Sequence, residues 1–99
     1  MVNNIQISII TLSKNDHYKF LKTLRSIELQ EINFEIEWLI IDGSNQNINK
    51  KNKEILDKIF YQNEKIDIKH LNSNELNIEG IYPCMNFGKR ISRGLFIMF

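Results

Sequence analysis

The sequence predicts an α/β fold: a three-layer, Rossmann-like half-domain built on a mainly parallel sheet of about four strands. Three observations predict it. Short runs rich in β-branched residues alternate with longer stretches of helical period, in the order β-α-β-α-β-α-β. The second and the last of the strand-like runs are almost continuously apolar, as strands covered on both faces are. Turn residues stand at the carboxyl ends of the first two strands, where open α/β sheets form their ligand crevices.

The elements follow in order. Residues 5–11 read as a strand, because Ile5, Ile7, Ile9 and Ile10 are β-branched and apolar. Ser13, Asn15 and Asp16 then supply loop and N-cap chemistry. A helix is predicted over 17–29, with Phe20, Leu21, Leu24 and Ile27 on one face and Lys19, Lys22 and Arg25 elsewhere. A second strand over 35–41 centres on Trp38-Leu39-Ile40-Ile41 and is broken by Asp42-Gly43-Ser44-Asn45. A second helix over 49–61 buries Ile55, Leu56, Ile59 and Phe60, with Ile48 just ahead of it. A third strand over 66–71 alternates Ile66, Ile68 and His70 against Asp67 and Lys69. A polar loop over 72–80 leads to a third helix over 84–93. Gly94 is expected to end that helix as a C-cap glycine. The run Leu95-Phe96-Ile97-Met98-Phe99 is expected to be a strand covered on both faces, and its outer flank to favour pairing with another strand.

Composition sets the bounds. The chain has 99 residues, room for one domain (1–99), with 42% hydrophobic and 25% charged residues and a net charge of +1. That charge argues neither for nor against nucleic acid or an anionic membrane. One cysteine, Cys84, excludes a disulfide framework and a thiolate metal cluster and fits a reducing compartment. Met1-Val2-Asn3-Asn4 lacks the basic start of a signal peptide, and no apolar stretch approaches the ~20 residues of a membrane span.

Three nucleotide or phosphate classes fall away. No glycine follows the first strand as in a dinucleotide fingerprint, no P-loop is present, and the acidic cluster of a phospho-receiver is missing. What remains is the pair of strand ends. Thr11 and Ser13 at the first offer hydroxyls and free amides. Asp42 with Gly43 at the second can accept hydrogen bonds from a ribose hydroxyl or a base N–H. The plainer reading is that Asp42-Gly43 is a turn and Asn15 or Asp16 an N-cap. Further on, Asn86 on the third helix can present an amide to a ligand. Lys89, Arg90 and Arg93 form a solvated face or, in the sharper reading, a diphosphate contact. His17 and His70 have no ligand-like spacing and read as a helix-surface and a strand residue, Cys84 as a small buried residue, and Trp38 as core.

Several blocks together resemble the family 2 glycosyltransferases. They are Ile7-Ser8-Ile9-Ile10-Thr11 with Asn15, Phe20-Leu21-Lys22-Thr23-Leu24-Arg25-Ser26-Ile27 with Gln30, Glu37-Trp38-Leu39-Ile40-Ile41-Asp42-Gly43-Ser44, and Gly80-Ile81-Tyr82 with Met85-Asn86 and Gly88, then Ser92-Arg93-Gly94 and the final apolar run. The resemblance spans nearly the whole chain, and its last block is the most specific.

The resemblance implies the A-type nucleotide-sugar-binding fold, incomplete here, and a nucleotide-diphospho-sugar donor. Thr11, Ser13, Asp42 and Gly43 would cradle base and ribose, with Asn86 beside the donor. It also implies a polysaccharide or lipid-linked acceptor, no nucleic-acid partner, and a cytoplasmic enzyme, free or peripheral at the inner face of the membrane. A divalent cation, manganese or magnesium, is expected for the family. Its Asp-x-Asp ligands and the catalytic base are expected beyond Phe99, so no residue of this chain is assigned to catalysis or to metal. A missing second half or another chain is expected at the final strand edge.

The chain departs from the family at Lys14, where an aromatic residue is usual, at Asn47, Leu76 and Ile78, where acidic residues are frequent, and at Pro83, where Asp is usual. Two rival readings stay open: a non-catalytic remnant that pairs with a partner chain, and an unrelated small α/β binding module.

Overall fold

A computed structural model describes residues 5–30, 34–61 and 63–99, arranged as β1 (Ile5–Ser13), α1 (His17–Glu28), β2 (Glu35–Asp42), α2 (Gln46–Phe60), β3 (Ile66–Asn72), α3 (Ile81–Ile91) and β4 (Phe96–Met98). The four strands form one sheet, order β3-β2-β1-β4, and every pair is parallel. The chain steps outward from β1 to β2 to β3, then returns across the sheet to the far side of β1. Crossovers of one hand place helices on opposite faces when the direction of travel reverses. Accordingly, Phe20, Leu24 and Ile27 of α1 and Leu56 and Phe60 of α2 share one core with Ile36, Trp38 and Ile40. On the other face Gly88 of α3 sits against Ile10, so closely that a Cβ there would stand 2.8 Å from its Cγ2. The architecture is a three-layer α/β half-domain, as expected.

β2 is central and buried from Ile36 to Asp42, which explains its nearly continuous apolar run. Trp38 stacks on Phe20 at 6.2 Å between ring centroids and meets Phe60 edge-on at 5.9 Å. Its indole Nε1 donates to Thr11 Oγ1 at 2.9 Å, so the one polar atom of this ring is satisfied.

Most element ends shift by one or two residues, and four larger departures from the expectation have a physical reason. α2 starts at Gln46 because Asn45 caps it, its side chain accepting from the Ile48 amide at 3.0 Å. α3 starts at Ile81, ahead of Pro83. A proline in the first turn removes an N–H that has no intrahelical acceptor anyway. Gly94 is not a C-cap, since the helix already leaves through Ser92 at φ −67°, ψ 146°. Gly94 is glycine because it abuts β1, where a Cβ would lie 2.5 Å from the Ser8 amide nitrogen. Finally, the terminal run is not a strand covered on both faces. Only Phe96–Met98 pairs, at the edge of the sheet, and Leu95 to Phe99 remain 40% to 74% exposed. No helix among the described residues is long and apolar enough to cross a membrane.

Candidate functional site

The carboxyl ends of three strands are level: Ser13 is in register with Asp42, and Asp42 with Asn72. The loops beyond them are tied to one another. The Gly43 amide donates to the Ser13 carbonyl at 2.8 Å, and the Ser73 amide to the Asp42 carbonyl at 2.9 Å. Asn15 adopts φ 55°, a left-handed conformation that asparagine tolerates better than most residues. From there its amide donates to Ser44 Oγ at 2.8 Å, and its Oδ1 accepts from the Asn45 amide at 2.6 Å. Asn74 Nδ2 donates to the carbonyls of Gly43 and Ser44, each at 3.2 Å. The turn Gly43-Ser44 is thus held from both neighbouring loops.

Beneath that turn lies Asp42, fully buried. Its Oδ1 accepts from the Ser44 amide at 2.9 Å, and its Oδ2 accepts from Asn52 Nδ2 at 2.9 Å and from His70 Nε2 at 2.7 Å. A carboxylate only accepts, so His70 carries a proton on Nε2, and the Asn52 amide is oriented with its oxygen outward. That oxygen is 2.7 Å from His17 Nδ1, which must therefore donate to it. A single hydrogen-bonded chain links the first turn of α1, the middle of α2 and the ends of β2 and β3. Burial pushes the Asp42 pKa up, but the hydrogen bonds from His70, Ser44 and Asn52 outweigh it and bring it down to about 2.

A cavity of about 650 Å³ opens at these strand ends, between the start of α1, the loop over 73–80 and the start of α3. Of the residues expected to hold a nucleotide, Thr11, Ser13 and Gly43 line it. Asp42 and Asn86 do not: Asp42 faces inward and Asn86 is an exposed residue of α3. Thr11 keeps a hydroxyl proton to donate, because its oxygen is the acceptor for Trp38. Ser73, Asn74 and Asn77 add polar groups that sequence reasoning passed over, and Lys14 and Lys19 add positive charge. Cys84 closes one wall. Burial raises its pKa, more than Lys14 lowers it, so the thiol stays protonated and a poor nucleophile.

Of the three basic residues expected on a solvated face, Lys89 and Arg90 are exposed on α3, while Arg93, in the turn after the helix, is drawn into an ionic network. Arg93 Nε donates to Glu37 Oε2 at 2.6 Å, and its Nη2 pairs with Asp67. Glu37, fully buried in mid-strand, also accepts at Oε1 from Ser8 Oγ and from the Arg93 amide, both at 2.8 Å. The Gly94 amide in turn donates to Ser8 Oγ at 2.8 Å. Burial raises the Glu37 pKa, and the Arg93 and Ser8 hydrogen bonds overcome this and lower it. Both fully buried carboxylates on β2, Glu37 and Asp42, are therefore ionised and consumed by the fold.

Among the described residues no three His, Cys, Asp or Glu side chains come together to hold a metal ion, so the side chains described here do not fit a divalent cation. The cavity can bind a polar ligand through hydroxyls, amides and two ammonium groups. Among the described residues that line it, no hydroxyl or thiol is hydrogen-bonded to a carboxylate or an imidazole. Compared with known families and curated proteins, the sequence matches no family model and no curated relative.

Proposed function

We propose that this chain is the donor-nucleotide-binding part of a family 2-like glycosyltransferase. Such an enzyme transfers a sugar from a nucleotide-diphospho-sugar to a polysaccharide or lipid-linked acceptor, in the cytoplasm or at the inner face of the membrane. One observation carries the reading. The cavity lies at the carboxyl ends of β1 and β2 and is lined by Thr11, Ser13 and Gly43, the strand-end residues that the resemblance assigns to the donor. Asp42 acts from behind, holding the Gly43-Ser44 turn rather than touching a ribose. The chain's part is binding and orientation. Among the described residues no ligand set for the family's manganese or magnesium ion is found, and no chemical step is assigned to them.

A second reading, an interaction module, draws on a different observation. The outer edge of β4 is an apolar strand with Leu95, Phe96 and Phe99 each more than half exposed. An edge of this kind accepts a further strand, from another chain or from a further segment of the same polypeptide.

Nuclear magnetic resonance separates the two. On titration with a nucleoside diphosphate, amide shifts should move at Thr11–Ser13, Gly43 and Asn74 and stay still at Phe96–Met98. Shifts at β4 alone that depend on protein concentration would instead support the interaction module. An unresponsive cavity at millimolar ligand would sink the nucleotide reading.

A further inference from the structure

We infer that the anionic end of the ligand, a diphosphate, is met by Lys14 and Lys19 and not by the basic run of α3. The inference rests on the proposed nucleotide site and adds to it the groups that neutralise the ligand's charge. Lys14 leaves the β1–α1 loop across Gly43. Its Cγ and Cδ pass 3.8 and 3.9 Å from the point where a Cβ on Gly43 would stand. The lysine stem is thus within van der Waals reach of the second strand end. Lys14 lines the same cavity as Cys84. Lys19, in the first turn of α1, lines the same cavity. Among the described residues neither ammonium forms an ion pair.

Two carboxylates also line the cavity, and they differ. Asp16 is engaged as the N-cap of α1, accepting from the Lys19 amide at 2.9 Å. Glu79 is exposed at the rim, outside every ion pair among the described residues. Its charge opposes an anion in the cavity. The cations of α3 and of the turn after it are spent or misplaced. Arg93 is held by Glu37 and Asp67, the Arg90 guanidinium lies 5.4 Å from the Phe87 ring centre, and Lys89 does not line the cavity. Two lysines act as point charges toward dispersed phosphoryl oxygens, and a concave site concentrates their field.

The test is calorimetry of the whole chain with uridine and guanosine, their diphosphates, and inorganic pyrophosphate. One diphosphate should bind at least tenfold tighter than its nucleoside. Lys14→Gln and Lys19→Gln should each weaken it about fivefold to tenfold, leave the nucleoside's affinity unchanged and flatten the salt dependence. Lys89→Gln should change nothing, and Glu79→Gln should tighten the diphosphate about twofold. All four residues are exposed, and circular dichroism checks that each variant folds. A nucleoside that binds as tightly as its diphosphate overturns the lysine assignment and leaves the nucleotide reading standing. Pyrophosphate binding as tightly as both diphosphates, with neither nucleoside binding, keeps the lysines and sinks the nucleotide reading. Silence with all five ligands overturns both.

Discussion

β2 carries two fully buried carboxylates five residues apart, and they are stabilised in opposite ways. Asp42 points into the layer of α1 and α2 and is held by uncharged donors and one imidazole. Glu37 points into the layer of α3 and is held by a guanidinium, with Lys69 Nζ a further 3.8 Å away. The first sits at the ligand end of the sheet and ties loops together. The second sits in mid-strand and ties down the turn from α3 into β4. A buried charge is tolerable only when its acceptor sites are filled, and the two sites fill them with different chemistry. The Asp42 site is a pure hydrogen-bond network, in which each donor is also positioned by another element. The Glu37 site adds to the Ser8 hydroxyl and the Arg93 amide one long ionic side chain, that of Arg93, which is 42% exposed.

That difference is open to direct attack, and the largest effect is expected at Asp42. Replacing it by Ala strands the Ser44 amide, the Asn52 amide group and the His70 imidazole at once. The expected loss is about 3–5 kcal/mol in urea unfolding. Arg93→Ala should cost less, about 2 kcal/mol, because water reaches the guanidinium's position and Lys69 remains near Glu37. Equal losses would mean that the two sites do not differ as described.

Acid gives the next effect. The folded-state pKa of Asp42, about 2, lies below its unfolded value of 3.8. Its contribution is therefore complete above about pH 5 and disappears as pH falls through 3.8 toward 2, an effect of about 2 kcal/mol. Glu37 is shifted in the same direction. Stability measured from pH 6 to pH 2 should fall less steeply in Asp42→Asn than in the unaltered chain. Parallel curves would remove Asp42 from the account.

The smallest effect belongs to Gly94→Ala. The added Cβ, 2.5 Å from the Ser8 amide, should cost about 1–2 kcal/mol and weaken the Glu37 side alone. Amide resonances of Gly43 and Ser44 should not move.

Much of this was legible in the sequence. The order of elements and the strand ends followed from apolar periodicity and turn residues. The role of Asp42 did not, because its partners lie ten and 28 residues away and only the fold brings them together. Signals for them were nevertheless present. His70 falls on the same side of its strand as Ile66 and Ile68, and Asn52 stands one turn from both Ile48 and Leu56. Polar residues in apolar register mark buried partners. Glu37 carries the same mark between Ile36 and Trp38. The start of α3 was hidden by Pro83, whose breaking effect does not apply in a first turn. The exposure of the final run was hidden because apolar content alone does not tell a central strand from an edge strand.

The pairing of Ile7 with Phe96 and of Ile9 with Met98 joins residues almost ninety positions apart. During synthesis β1 leaves the ribosome well before its neighbour on that side, which is made almost ninety residues later. At 5–20 residues per second, several seconds pass before Phe96–Met98 emerges. Throughout that interval β1 offers one open flank to any passing strand. Nascent chains of this protein are therefore exposed to mispairing along β1, and a chaperone that shelters that flank would raise the yield of folded protein.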